Sequence, residues 1–253
     1  MMRARPFLLA ALCLAALPAD ACHLRMAPES WPPYIYSGAN GVLAGADVEL
    51  AQAILREAGC TIEFVAELPS LRREILFRQG KLDLMLAASK TEERRRYARF
   101  SSPYRQEHVR LFAAPDKVQK FAGIDSFDAI ARQRIAVLAP RAGWYGADYA
   151  RAAAATDAGM WRNTFGNFQQ GIQMFRAGRA ELIMGDAAAL EHAARQQGIT
   201  LAALPYVPFS APVHLMLNAS STTQDQLARI NSAIARLEHS GALATIRTRY
   251  GLH

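Results

Sequence analysis

The chain has 253 residues, 51% of them hydrophobic, and carries 29 lysines and arginines against 22 aspartates and glutamates, a net charge of +7. That length and apolar share suit one or two domains with substantial cores. The positive charge is spread over arginine tracts near 72–73, 94–99 and 229–249 and interleaved with acidic residues. A nucleic-acid module gathers its charge on one element beside aromatic platforms, so nucleic acid is set aside as a partner.

At the N-terminus Arg3 and Arg5 precede PFLLAALCLAAL, an apolar run too short to span a bilayer, and Pro18 leads into the small-x-small site Ala19-Asp20-Ala21. Residues 1–21 are therefore expected to be a cleavable signal peptide, the mature chain starting near Cys22 in the periplasm. No later run reaches the roughly 18 apolar residues of a spanning helix. Cys13 would leave with the leader, whereas Cys22 and Cys60 each stand just before a short strand-like run, CHLRM and CTIEF. If those strands are parallel neighbours, the two sulfurs lie within bridging distance, and an oxidising compartment favours a disulfide. The alternative is lipidation of Cys22, for which Ala19 and Asp20 make a poor lipobox.

From Cys22 onward strand-like and helix-like segments alternate. HLRMAP (23–28) reads as a strand followed by a long loop, and DVELAQAILREAG (47–59) as a helix with Val48, Ala51, Ile54, Leu55 and Ala58 on one face and Gly59 as its stop. TIEFVAE (61–67) is a strand, SLRREILFRQG a helix ended by Gly80, and KLDLMLAAS (81–89) a buried strand. HVRLFAAP (108–115) opens a second alternating set: strands at 133–140, in MWRNTF, at 180–186 and in ITLAALPYVP, with helices between them. APVHLMLNAS (211–220) is a further strand, and one or two helices complete the chain. This order indicates α/β architecture with sheets covered by helices, and no flexible linker separates the two sets.

The sequence contains no G-x-S-x-G, Walker loop, dinucleotide fingerprint or C-x-x-C, and its six histidines show no metal-ligand spacing. No cofactor, metal or catalytic group is expected on these grounds. The densest charge lies in ASKTEERRRYARFSSPY (88–104). Thr91 suits an N-cap, with Glu92 and Glu93 in the first turn. Continued as a helix, the segment puts Arg94, Tyr97, Ala98 and Ser101 at i, i+3, i+4 and i+7, on the face turned to the protein. Arg95, Arg96 and Arg99 are then expected in water, Arg96 paired with Glu92. An inward guanidinium must be paired, either with a local carboxylate or with a ligand's, and its fork of donors suits a bidentate grip.

Taken together, GKLDLMLAASKTEER…FSSPY, the loop WPPY, the helix start GADVELAQAI and FRAGRAELIMGD resemble the family 3 extracellular solute-binding proteins, over almost the whole mature chain. The resemblance implies a two-lobed type II periplasmic-binding-protein fold, each lobe a sheet flanked by helices. Lobe 1 would comprise residues 22–113 and 209–253 and lobe 2 residues 114–208, joined by a two-strand hinge that closes on ligand. It implies a monomer that captures an amino acid-like solute and hands it to an ABC transporter permease.

Carried over by position, Arg94 matches the arginine for the ligand's α-carboxylate, Ser89 the contact just before it, and Asp186 the aspartate for the α-ammonium. Asp186 could instead cap the helix beginning at Ala187. Trp31 and Tyr34 match an aromatic wall. Glu29 and Arg72 fall near the pocket edge with opposite charges, so no ligand side chain is singled out. The chain departs from the family pattern at Glu92, where proline is usual, and at APRAGWYG (139–146), which lacks the usual threonine; backbone N–H groups of Gly143 and Trp144 are the expected replacement. Two other roles stay open: an enzyme on the same fold, resembling cyclohexadienyl dehydratase with Glu29 as its acid, and a ligand-sensing partner of a membrane receptor.

Overall fold

A computed structural model describes residues 22–38, 41–155 and 158–252; the expected leader, residues 1–21, lies outside the described residues. The chain runs through β1 (Cys22–Met26), the short antiparallel pair β2 (Tyr36–Ser37) and β3 (Leu43–Ala44), α1 (Ala46–Glu57), β4 (Cys60–Phe64), α2 (Ser70–Arg78), β5 (Leu84–Ala88), the single turn α3 (Glu92–Arg95) and the long β6 (Ala98–Ala113). It continues through α4 (Phe127–Gln133), β7 (Val137–Pro140), α5 (Ala147–Ala153), β8 (Arg162–Phe165), α6 (Phe168–Arg176), β9 (Leu182–Asp186), α7 (Ala187–Gln196) and β10 (Ala202–Ala203). It ends with β11 (Phe209–Asn218), α8 (Gln224–His239) and α9 (Ala242–Arg249).

β1 and β4 pair in parallel with Cys22 opposite Cys60, and the two sulfurs are bonded across a Cα–Cα distance of 4.5 Å. The disulfide expected from the matched strand contexts is present. Arg25 joins this pair to the rest: its carbonyl accepts from the Asp83 N–H at 2.9 Å, and its Nε donates to the Asp83 carboxylate at 2.7 Å. The main sheet has the order β5-β11-β6-β9-β7-β8, with β10 beside β6.

Apolar periodicity explains the packing. On α1, Val48, Ala51, Ile54 and Leu55 are buried against Leu24, Leu215, Ile230 and Ile234 in one core. A second core gathers Val109, Phe127, Val137, Trp161 and Leu182, and a third packs Phe165, Ile172, Ile183 and Leu190 on the opposite face of the same strands. Each fully buried aliphatic side chain contributes about 1.5–3 kcal/mol. β6 and β11 run from the first core toward the second side by side, paired from Phe209↔Val109 to Asn218↔Ala98. From Val109 onward the other edge of β6 pairs with β9.

Two readings of the sequence change and a third is resolved. The 91–101 segment is not a continuous helix: α3 ends at Arg95 and β6 begins at Ala98, so Ala98 and Ser101 are buried as residues of a strand and not by helical spacing. ITLAALPYVP forms only the two-residue β10, and α4, in a stretch for which the sequence predicts no element, is a helix capped by Ser126. The C-terminal region is two helices, divided at Gly241, whose φ of 75° suits glycine.

Reduction of the disulfide should be costly, because the 38-residue separation frees a long loop in the unfolded chain. The expected loss is about 4 kcal/mol. It is measured as a fall in denaturation midpoint on adding a thiol reductant, with the same fall in Cys60→Ser without reductant.

Candidate functional site

Where the first core faces the second, a cavity of about 610 Å³ opens beside the carboxyl end of β5. Open α/β sheets place ligands at such strand ends. Of the nine residues expected at the site, Glu29, Trp31, Ser89, Arg94, Gly143 and Trp144 line this cavity. Tyr34, Arg72 and Asp186 do not.

The single turn α3 explains where Arg94 points. Thr91 Oγ1 accepts the Arg94 N–H at 3.3 Å, fixing the backbone, while Arg94 Nη1 donates to the Ser89 carbonyl at 3.1 Å. No carboxylate side chain pairs with Arg94 among the described residues. Arg95 meets Glu92 at 3.4 Å, the i,i+3 partner rather than the expected Arg96 pair. Arg96 is exposed as expected. Arg99 is not in water: its Nη1 donates to the carbonyls of Ala219 and Thr222 at 2.7 and 2.8 Å and so ties β6 to the segment after β11.

On α2 the cavity-facing arginine is Arg73, one residue from the one expected. Arg72 is exposed and turned away, since consecutive helical residues point about 100° apart. Arg73 pairs with Glu29. Burial raises the Glu29 carboxyl and lowers the Arg73 guanidinium, and their mutual attraction works against both changes. Arg73 Nε and the Trp31 indole N–H are buried donors without a protein acceptor among the described residues.

Asp186 is only 1% exposed and is already occupied. Its Oδ1 accepts the Ala189 N–H at 2.9 Å, capping α7, and the Tyr34 hydroxyl donates to the same carboxylate at 2.9 Å. Burial pushes this carboxyl up, while Arg105 and the two donors draw it down. The capping reading of Asp186 thus describes the contacts it makes. Tyr34, 2% exposed, is the lid over it rather than part of the cavity wall. Trp31 does form that wall, stacked on Phe168 with ring centroids 6.5 Å apart.

Across the cavity lies the loop 141–146. Gly143 has φ 124°, and a Cβ there would come within 2.6 Å of the Tyr145 hydroxyl, so glycine is required for Tyr145 to fold back over the cavity. Tyr145 donates to the Ala142 carbonyl at 3.0 Å. α5 begins only at Ala147, so Gly143 and Trp144 belong to the loop and not to a helical first turn.

Two charged features went unread in the sequence. Arg105 and Asp47 form a bidentate pair at 2.7 and 2.8 Å with both side chains fully buried, and Arg105 also lies 4.0 Å over the Tyr34 ring. Burial opposes the charge on Arg105, but Asp47 overcomes it and holds the guanidinium firmly protonated. Nothing in one dimension links residues 58 apart. Glu107, 5% exposed, lines the cavity. Here a signal existed: Arg105, Glu107 and Val109 occupy the buried positions of β6 while Gln106 and His108 are exposed. Burial, and then the nearby Asp186 carboxyl, push Glu107 up to about 8.

Two outcomes follow. Asp47→Ala leaves an unpaired buried guanidinium and should cost about 3–5 kcal/mol, whereas Asp47→Leu combined with Arg105→Met should cost less than that single change. Urea denaturation of the three chains checks this. For Glu107, the folded chain keeps a proton that the unfolded chain releases near the ordinary 4.5, so its stabilising contribution is complete below that pH and is lost as pH rises to about 8. Melting temperatures across that range should therefore shift in favour of Glu107→Gln over the parent as pH rises.

Comparison with known proteins accords with this geometry. The profile of the bacterial extracellular solute-binding proteins, family 3, matches residues 24–253. No curated protein sequence matches the chain. Among solved structures, an ancestral arginine-binding protein bound to arginine is similar at TM-score 0.74 and 23% identity, over 90% of this chain and 98% of that one. A histidine kinase sensor domain with similarity to periplasmic binding proteins reaches TM-score 0.73 at 20% identity, over 92% and 97% of the two chains. A substrate-binding protein of an ABC uptake transporter from Streptococcus pneumoniae, with bound histidine, reaches 0.72 at 20% identity, over 90% and 92%. At such identities the likeness is one of fold, and it is the periplasmic-binding-protein fold. With the family profile spanning nearly all of the described chain, the protein belongs to the bacterial extracellular solute-binding proteins, family 3.

Proposed function

We propose that the chain captures a small amino acid-like solute in this cavity and passes it to an ABC transporter permease. The observation that carries the reading is Arg94, a guanidinium on the cavity wall whose one side-chain bond among the described residues is to the Ser89 carbonyl. A fork of donors without a protein carboxylate suits a ligand carboxylate. The Trp31–Phe168 stack supplies apolar area beside it.

In this reading residues 22–113 and 209–253 form one lobe and residues 114–208 the other, with β6 and β11 as the hinge. The Tyr34–Asp186 hydrogen bond and the Trp31–Phe168 stack each join the two lobes so defined, as contacts of a closed state would. The chain works in the periplasm as a monomer, after removal of residues 1–21. Glu29, the acid that a dehydratase on this fold would draw from this chain, is committed to Arg73, which favours binding over catalysis.

A thermal-shift panel of the L-amino acids tests the reading. A ligand at about a hundredfold its Kd should add about 2.7 kcal/mol, a shift of several degrees. Arg94→Ala should fold normally and weaken that ligand about thirtyfold or more. The reading is lost if no amino acid shifts the parent, or if the variant responds equally.

A further inference from the structure

The cavity's carboxyls differ in how they are used. Glu29 is held by Arg73, Glu74 by Arg78 at 2.9 Å, and Glu67 accepts the Ser30 N–H at 3.2 Å. Glu107 is more deeply buried than any of these, and among the described residues no hydrogen bond or ion pair reaches its carboxyl. Arg105 stands two residues earlier on the same face of β6, but its Nε and Nη2 are spent on Asp47. Opposite Glu107 on β11 is Ala211, which offers no donor from its side chain. The fold thus buries a carboxyl on a cavity wall and leaves it unmatched, an arrangement that is costly unless something brings a partner.

We propose that Glu107 is the residue that receives the ammonium group of the bound solute, in the place for which Asp186 was the expectation from sequence. Asp186 is sealed beneath Tyr34 and already accepts two donors, whereas Glu107 faces the cavity that Arg94 also lines. The inference rests on the proposed binding of an amino acid-like solute and names the anion that such a solute would meet.

The surroundings of Glu107 predict how binding is felt. The carboxyls of Asp186 and Asp47 disfavour its charge, while Arg105 and Arg94 favour it. The phenol of Tyr145 also lies close enough to be affected by it. Its strand neighbours turn away, His108 being exposed and bonded to Ser210 at 2.9 Å. Since Glu107 is pushed up to about 8, it carries a proton at neutral pH in the free protein. An ammonium group arriving there displaces that proton into solvent, so binding is linked to release of about one proton.

Isothermal titration with the L-amino acids and with putrescine, which has ammonium groups and no carboxylate, tests this at about pH 6, 7 and 8 in buffers of different ionisation heat. Affinity should rise up to about tenfold per pH unit toward pH 8, with about one proton released. Glu107→Gln should abolish the pH dependence and weaken binding about thirtyfold or more, with a cooperative melt showing that it is folded. Binding that is flat with pH, or that survives Glu107→Gln while Asp186→Asn loses it, overturns the inference but leaves amino acid capture standing. Binding of putrescine alone, dependent on Glu107, overturns amino acid capture and supports the inference. Failure of every probe to bind overturns both.

Discussion

The buried pair of Arg105 and Asp47 is the interaction on which the rest of the site depends. Asp47 stands in the first turn of α1, just after Gly45, whose φ of 120° and near-contact with the Tyr34 carbonyl bring the helix start against the loop before it. Arg105 comes from β6, the strand that runs between the cores. Their bidentate bond therefore locks α1, the Tyr34 loop and the shared strand at one point. A fully buried ion pair is weak as a source of net stability, because desolvation offsets most of the Coulomb gain. Its value is geometric, since either charge alone would be far costlier than the pair.

That lock decides which groups remain for a ligand. Arg105 lies over the Tyr34 ring, and the Tyr34 hydroxyl in turn reaches Asp186. The chain of contacts from Asp47 through Arg105 and Tyr34 to Asp186 is complete without any small molecule. Each group in it is buried and already partnered. Arg94 and Glu107 lie outside this chain, on the cavity, and keep their bonding capacity. The proposed reading therefore ranks candidate ligand contacts by the partners each group already has, and not by position in the family pattern alone.

Much of the fold was legible because it rests on local rules. The apolar face of α1, the matched contexts of Cys22 and Cys60, and the N-cap at Thr91 are each written within a few residues, and the structure has them all. Arg94 lines the cavity as well, although the helical count that singles it out is valid only as far as Arg95. The missed features depend on distance or on a single position. Arg73 rather than Arg72 is a matter of one step around α2, which propensity does not resolve. The Arg99 contacts and the Arg105–Asp47 pair join segments 120 and 58 residues apart. Glu107 is readable in principle, as an acid at a buried position in a period-2 run, but the strand predicted from residue 108 begins at Ala98 and so takes Glu107 in.

The location of Glu107 carries a final consequence for mechanism. It sits on β6 between Arg105, locked into the first core, and Val109, where β6 begins to pair with β9. A charge drawn to Glu107 therefore acts at the junction between the two cores rather than on one wall. In the proposed receptor, Arg94 would hold the carboxylate from one lobe while the ammonium is drawn to the strand between the lobes. Closure would then depend on the loop of Tyr145 and on Phe168 covering a ligand already anchored at both ends. A ligand can shift such an equilibrium only by its differential contacts with the closed state. In this arrangement those contacts are supplied by the aromatic cover, and the charges provide selection.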